Sequence, residues 1–359
     1  MKILITNLFL DKWTWSESFI YTLAKYLKNK WNDVSFYTLF NWELKTKLEK
    51  EWFKCYEHKY ISNKLIINKN DNFFIKLYKF ISLKIYSSFI FNLFLDYKEL
   101  NDFDIIHFQH KRLVKILYFK VKNIPKIFIS HWKIPKEEQV QNYKKYKMDW
   151  YLAVSEEVEE NMRKKISKNI KLVLIRNPID INYYNTDIEI NEKIKNILVI
   201  SKEILNNKKY ISIINSISNK INANVEYIWF PNKNVKDTRI YIEKADLIIW
   251  LWRCAYESMS MWRNVIILDY LWLDWIIDSE EKFNNLKKYN LSWRYYNNTN
   301  FSEEELLIEF SKYNKKQWEN NRNLIKKYND INVVWKQIEN FYNEIININE
   351  KNINNSNNI

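Results

Sequence analysis

The sequence predicts an α/β chain built as two Rossmann-like, doubly wound parallel-sheet domains facing a central cleft. Three observations carry that expectation. Short β-rich apolar runs alternate with amphipathic helices, a pattern that calls for parallel strands joined by right-handed crossovers. The alternation comes in two blocks, separated by a polar, proline-containing stretch at 177–187. The chain has 359 residues, 47 % of them apolar, more than one core usually organises and enough to bury two.

The first block opens with a strand at Ile3 to Thr6. Phe19, Ile20, Leu23, Ala24 and Leu27 then recur at helical spacing. A strand at Val34 to Leu39 and a charged helix at Glu43 to Lys50 follow, and further strands are read at 104–108, 126–130, 151–154 and 172–175. After Val154, Ser155 suits a helix N-cap, and Glu156, Glu157, Glu159 and Glu160 suit the positive end of the helix that follows. The second block has strands at 196–200, Val225 to Ile228, 245–249 and 264–268. Its helices are read over Tyr210 to Ile221 and from Cys254 to Met261. Two helices close the chain, about Ser302 to Asn314 and Val333 to Ile346. The expected division is a domain over 1–180, a linker over 181–195 and a domain over 196–330. The helix 333–346 returns to the first domain, and the Asn-, Ile-, Lys- and Ser-rich tail 347–359 is expected to be disordered.

Composition narrows the function classes. The formal charge of +14 is discounted in part, because an excess of Lys, Asn and Ile over Ala and Arg marks AT-rich coding. What remains would attract an anion: a nucleotide diphosphate, an acidic lipid surface or nucleic acid. Cys55 and Cys254 are too isolated for a disulfide framework, and His58, His107, His110 and His131 lack metal-binding spacings, so no metal site is expected. The short apolar run at the N-terminus reads as a strand rather than a signal peptide, and the expected location is cytoplasmic. The stretch from Phe73 to Leu95 is broken by Lys76, Lys79, Lys84, Ser82, Ser87 and Ser88 and fails the test for a membrane span. It either packs on its own domain, the commoner outcome, or lies peripherally on an anionic membrane at the inner face.

Sixteen tryptophans and no glycine stand in this chain, where about 25 glycines would be expected at the usual ~7 %. The indoles occupy strand-to-helix turns (Trp13 and Trp15, Trp250 and Trp252, Trp272 and Trp275) and a helix C-terminus (Trp31). Those positions favour a residue without a Cβ. A UGA codon read as tryptophan in place of glycine would produce this pattern.

Ligands of parallel α/β sheets bind at the C-terminal ends of strands. The turn Trp13-Thr14-Trp15, if glycine-type, exposes backbone N–H groups at a helix N-terminus, a weak motif alone. More specific is the string Asp246 to Ile266. There a strand meets Trp250-Leu251-Trp252, Arg253 and Cys254 start a helix, and Glu257 sits one turn deeper. An arginine at a helix N-terminus suits a diphosphate, and a buried carboxylate one turn on suits ribose hydroxyls.

With glycine at the tryptophan positions, this string resembles the "G-x-G-R-x-x-x-E-A-M-x-x-G-R-P-V-I" region of the family 4 glycosyltransferases, which have the GT-B fold. Asp149 to Glu156 is similar to that family's "D-x-hydrophobic-V-x-S-E", Ile175 to Asp180 to "I-x-N-P-I-D", and Ile129 to Trp132 to "T-x-H-G". Asn290 to Arg294 resembles an "N-F-S-G-R" of some members, and the likeness runs from residue 1 to about 345.

The resemblance implies a retaining, metal-independent hexosyl transfer from a nucleotide-sugar to a glycan or lipid-linked acceptor, with the donor a substrate and no cofactor. It implies that Glu257 binds the ribose, and that Lys202, in the usual place of Arg, and Lys208 or Lys209 hold the diphosphate with Arg253 and Cys254. It further implies that His131 faces the sugar and that Trp13, Trp15, Trp250 and Trp252 mark glycine turns, with closure of the domains assembling the site. One departure is Ile249, where many members carry a sugar-contacting glutamate. Two rivals stand beside this reading: a GT-B nucleotide-sugar epimerase or inactive homologue, and a basic, aromatic-rich nucleic-acid-binding protein. The second is disfavoured because the indoles sit at turns and not on one basic face.

Overall fold

The computed structural model describes residues 1–10, 15–41, 43–68, 70–88, 98–121, 123–132, 136–139, 145–228, 235, 237–268, 273–292 and 301–357. The turn 11–14, with Trp13, and the part of the apolar stretch beyond residue 88 lie outside the described residues. The chain divides into two compact units. One comprises Met1–Ile175 with Trp335–Ile359, the other Arg176–Val334.

In the first unit β1 (Lys2–Leu10), α1 (Trp15–Asn29), β2 (Asp33–Asn41), α2 (Glu43–Lys50) and β3 (Lys54–Glu57) are followed by α3 (Phe73–Tyr86). Next come β4 (Ile105–Phe108), α4 (Lys111–Leu117), β5 (Lys126–Ser130), β6 (Trp150–Ala153), α5 (Glu156–Arg163) and β7 (Lys171–Leu174). The strands form one parallel sheet in the order β3-β2-β1-β4-β5-β6-β7. Ile3 lies beside both Val34 of β2 and Ile105 of β4, and all three are buried. The chain winds outward from β1 to β3 and returns to the other side of β1 for β4, so the strand order reverses between β1 and β4. Ser155 caps α5 as expected, its side chain accepting from the Val158 N–H.

The second unit holds β8 (Asn196–Val199), α6 (Lys202–Leu205), α7 (Lys208–Lys220), β9 (Asn224–Tyr227), α8 (Arg239–Ile242) and β10 (Leu247–Trp250). It continues with α9 (Trp252–Ser260), β11 (Asn264–Leu268), β12 (Leu273–Ile276), α10 (Glu280–Lys287), α11 (Glu303–Ser311) and α12 (Gln317–Tyr328). The order is β12-β11-β10-β8-β9, parallel except for the β11–β12 pair, so here the winding reverses between β8 and β10. Side chains of β10 alternate between two cores, as the pleat demands. Ile248 and Trp250 pack with Ala255 and Met259 of α9, whereas Leu247 and Ile249 pack with Tyr210 and Ile214 of α7.

A last helix, α13 (Ile331–Asn357), starts in the second unit and lies mainly in the first. Trp335 packs edge-on against Phe19, and Phe341 against Trp150, with ring centroids 5.0 and 5.3 Å apart. The expectation of a disordered tail from 347 is corrected, because the helix continues to Asn357. Asn, Lys and Ile carry only modest helix penalties, and the segment has no proline to stop a helix already nucleated and packed upstream. The expected linker is also no loose tether. Asp246 accepts hydrogen bonds from the backbone N–H groups of Asn191, Lys195 and Asn196, and Arg322 donates to the carbonyls of Ile181 and Tyr184. Asp246→Ala would leave three N–H groups without their acceptor. It is expected to cost about 3 kcal/mol or more, readable in urea unfolding.

Among the described residues, four tryptophans have left-handed backbone, with φ of 63° at Trp31, 66° at Trp52, 56° at Trp252 and 63° at Trp262. Three of these close helices in the same way. The N–H of Trp31 donates to the Lys28 carbonyl and that of Asn32 to Leu27; the corresponding bonds run from Trp52 to Glu49 and Phe53 to Leu48, and from Trp262 to Met259 and Arg263 to Ser258. This is the Schellman closure, whose left-handed residue is most often glycine. Asn222 and Asn290, residues that tolerate left-handed backbone, fill the same slot after α7 and α10. Trp31 and Trp52 are 97 % and 89 % exposed, so their indoles return little packing for the strain. Trp31→Gly and Trp52→Gly are each expected to stabilise the fold by about 1 kcal/mol, which should raise the melting midpoint by about 2–4 °C per substitution in a thermal scan.

Candidate functional site

Apart from Trp13, the expected site residues fall into two groups, one in each unit, near points where the strand order reverses. Such points leave a crevice at the C-terminal ends of the diverging strands.

In the second unit the crevice lies between β8 and β10, which pair with Val199 opposite Ile249. Beyond β10, the turn Trp250-Leu251-Trp252 leads into α9. Leu251 is extended and provides no side-chain cap, and the N–H of left-handed Trp252 donates to the Leu291 carbonyl at 2.8 Å. An uncapped helix N-terminus at a strand end is a natural anion cradle. Arg253 stands in its first turn, and its Nε donates to Oε1 of Glu257 at 2.7 Å, the two side chains being 18 % and 6 % exposed. Tyr184, from the segment before β8, also hydrogen-bonds Glu257. Burial disfavours the Arg253 charge, but Glu257 and Tyr184 outweigh it and lift the guanidinium above its ordinary pKa. Burial, with Glu257 next, pushes the Tyr184 hydroxyl and the Cys254 thiol upward, so both stay protonated at neutral pH. Cys254 is therefore no thiolate nucleophile.

Lys202 begins the short helix after β8, at the same sheet edge as Trp252, and its side chain is outside the described residues. Lys208 and Lys209 are exposed at the start of α7, whose first turn is capped by Asn207, the side chain accepting from the Lys209 N–H at 3.1 Å. Ile249 is wholly buried in the core facing α7, an apolar position.

In the first unit the crevice lies between β1 and β4, with β5 alongside. Here the structure gathers a buried polar group. His131, just past β5, donates from Nε2 to Oε1 of Gln109 at 2.5 Å and meets the Phe19 ring edge-on. His110 accepts from the Leu8 N–H at 3.3 Å, and His107 Nδ1 pairs with the Tyr342 hydroxyl of α13 at 2.5 Å. Asn7 donates to Oε1 of Glu17 at 3.1 Å. Burial pushes all three imidazoles down, His107 to about 3, His110 to about 4 and His131 far below its usual value, so each is neutral at pH 7. Trp15 begins α1; its side chain, like all of Trp13, is outside the described residues.

Among the members not anticipated from sequence are Gln109, Glu138 and Tyr184. Glu138 is buried beside the backbone N–H groups of Trp132 and His131; burial outweighs those bonds and raises its carboxyl to about 7. The partnerless buried atoms include Glu138 Oε2, Gln109 Nε2 and Asn7 Oδ1. Gln109, Glu138 and Tyr184 lie outside the helices and strands, so no periodicity marks them.

No protein-family model and no curated protein sequence matches the chain. Solved structures do. A glycosyltransferase from Rickettsia africae ESF-5 is similar with a TM-score of 0.60 at 16 % identity, over 96 % of this chain and 98 % of that one. HepE of Anabaena, in complex with UDP and glucose, is similar at 0.58 and 12 %, over 96 % and 100 %. The lipopolysaccharide outer core galactosyltransferase WaaB is similar at 0.55 and 12 %, over 95 % and 98 %. The fold of this chain is thus the two-domain α/β architecture of GT-B glycosyltransferases.

Proposed function

We propose that the chain is a retaining, metal-independent glycosyltransferase of family 4 that moves a hexosyl group from a nucleotide-sugar to a glycan or lipid-linked acceptor. The observation that carries this reading is the guanidinium–carboxylate pair Arg253–Glu257 on an uncapped helix start where the strand order reverses. Structural neighbours solved with UDP and glucose or with UDP-glucose support a nucleotide-sugar as the donor.

In this reading the α9 N-terminus and Arg253 bind the donor diphosphate, and Glu257, fixed by Arg253 and Tyr184, accepts hydrogen bonds from the ribose. Lys202 and Lys208 oppose the charge that develops on the leaving diphosphate. A diphosphate leaving group stabilised by fixed cations and a helix dipole departs without needing a proton. His131 is neutral, with the proton on Nε2 held by Gln109, and serves as a hydrogen-bonding contact for the sugar or acceptor. Glu138, neutral below about pH 7, adds a second polar group near the His131 backbone.

The reading includes recoding: the sixteen tryptophan positions are glycine in the native protein, UGA having been read under the wrong table. Left-handed Trp31, Trp52, Trp252 and Trp262 support this, and mass spectrometry of native peptides spanning Trp250 and Trp252 tests it. The activity is tested by supplying UDP-, GDP- and ADP-hexoses with a cell-envelope glycan or lipid extract as acceptor. Donor loss matched by glycoside formation is expected; donor turnover to an epimer without glycoside would favour the epimerase reading.

A further inference from the structure

The geometry of α3 points to a docking surface for an anionic lipid bilayer, and we propose that this helix lies in the membrane interface with its axis in the plane. The inference stands on α3 and its flanks alone and does not depend on the donor-site reading. In an ordinary surface helix the apolar stripe faces the protein. Here the arrangement is reversed. Ser82 is the buried residue of the helix, and Lys79 turns inward, its Nζ donating to the Ile66 carbonyl at 2.9 Å and to Asp71 at 2.8 Å. Asn72 caps the N-terminus by accepting from the Ile75 N–H at 2.9 Å. Lys79 and Ser82, beside half-buried Leu83 and Tyr86, thus fasten α3 to its unit. At 3.6 residues per turn, Phe73, Phe74, Leu77, Tyr78, Phe80 and Ile81 fall with Ile85 on one outward arc of roughly 160°, interrupted only by Lys84. All seven are exposed, Phe73 by 70 %, Phe74 by 78 % and Tyr78 by 64 %. Exposed Tyr60 and Ile67 lie on the preceding segment, Tyr60 stacking on Tyr86 at 5.9 Å. An apolar arc of this size is not left to water in a soluble surface.

Charge selects the occupant. From His58 to Ser88 the chain carries Lys59, Lys64, Lys69, Lys76, Lys79 and Lys84 against the single acid Asp71. A second copy of this chain seated on the arc would bring lysines against lysines, whereas acidic lipid headgroups neutralise them. Lysines beside a Phe- and Tyr-rich arc are the composition of an interfacial helix. With 14 residues and lysines within it, α3 is too short and too charged to span, and no helix among the described residues is long and apolar enough to do so.

The test is co-sedimentation of the full chain with vesicles of mixed phosphatidylglycerol and phosphatidylcholine, and with vesicles of phosphatidylcholine alone, at physiological salt. Wild type is compared with Phe73→Ser/Phe74→Ser/Phe80→Ser, and both are run on a sizing column. Wild type is expected to pellet with the anionic vesicles and much less with the neutral ones. The triple variant should bind at least about tenfold more weakly at an unchanged melting midpoint, because the replaced rings are exposed. If the triple variant proves unstable, Phe74→Ser alone is read in the same way, with a smaller loss. The proposal is overturned if wild type stays in the supernatant, if it pellets equally with neutral vesicles, or if the serine variant pellets like wild type. A wild-type dimer that the variant converts to monomer would also overturn it, by showing that a second copy covers the arc.

Discussion

Lowering the pH from 7 to 5 is expected to destabilise the first unit by about 2 kcal/mol or more, a loss beyond that of surface titrations. His107, His110 and His131 are held neutral by burial, with pKa about 3, about 4 and well below the usual 6.5. Between those values and 6.5 the unfolded chain binds protons that the folded chain does not. The stability they provide is complete above pH 6.5 and is lost as pH falls toward 4. His107 and His110 each account for about 2 kcal/mol between pH 6.5 and 5, and His131 acts in the same direction. Glu138 opposes them. Its carboxyl is raised from the usual 4.5 to about 7, so it costs stability as pH rises through that window and returns about 2–3 kcal/mol on acidification. Three groups outweigh one. Urea midpoints measured from pH 7.5 to 5 check the slope, and His107→Gln should remove about 2 kcal/mol of the histidine contribution. A midpoint that does not move, or one that rises, would show that these imidazoles are not buried neutral.

Replacing Glu257 by alanine is expected to cost about 3–5 kcal/mol of stability, because it strands the largely buried guanidinium of Arg253 and removes the partner of Tyr184. Nucleotide-sugar binding should vanish with it. Glu257→Gln separates the two consequences. The amide retains a hydrogen bond to Arg253 and most of the packing, so the fold survives at a smaller cost, while the charged acceptor for two ribose hydroxyls is gone. Guanidinium denaturation of both variants beside wild type gives the stability order; a Glu257→Ala protein as stable as wild type would mean that the pair is not buried in solution.

The alternation of strands and helices was legible because each strand is a short apolar run bounded by polar turns. The two reversal points were not legible: they depend on where β4 and β10 re-enter their sheets, which no local pattern encodes. Ser155 was readable as a cap from the acidic residues after it; Ser302, expected only as the approximate start of a helix, forms a full capping box with Glu305. Helix α12 was missed because its sequence is almost wholly polar; its burial rests on Leu324, Ile325 and Asn321, too few for a visible stripe. Strand β12 was missed because buried Asp274 interrupts its apolar pattern. In the site, Arg253 and Glu257 were visible as a four-residue spacing on one helix. Gln109, Glu138 and Tyr184 owe their places to tertiary contacts with residues 22, 7 and 73 positions away, which no local pattern encodes. Trp31, Trp252 and Trp262 were legible for a different reason: a backbone position with φ > 0 is marked by its turn whatever side chain is written there, whereas Trp275, expected at a strand-to-helix turn, lies within β12.

The claim that matters most is that the start of α9 holds a nucleotide-sugar through its diphosphate and ribose. Calorimetric titration of UDP-, GDP- and ADP-sugars into the chain carrying glycine at its sixteen tryptophan positions, with Glu257→Gln in the same background, tests it directly. One donor series should bind with a saturable heat, and the glutamine variant should bind it at least about tenfold more weakly. Failure of every donor to bind, or equal binding by the glutamine variant, would contradict the assignment.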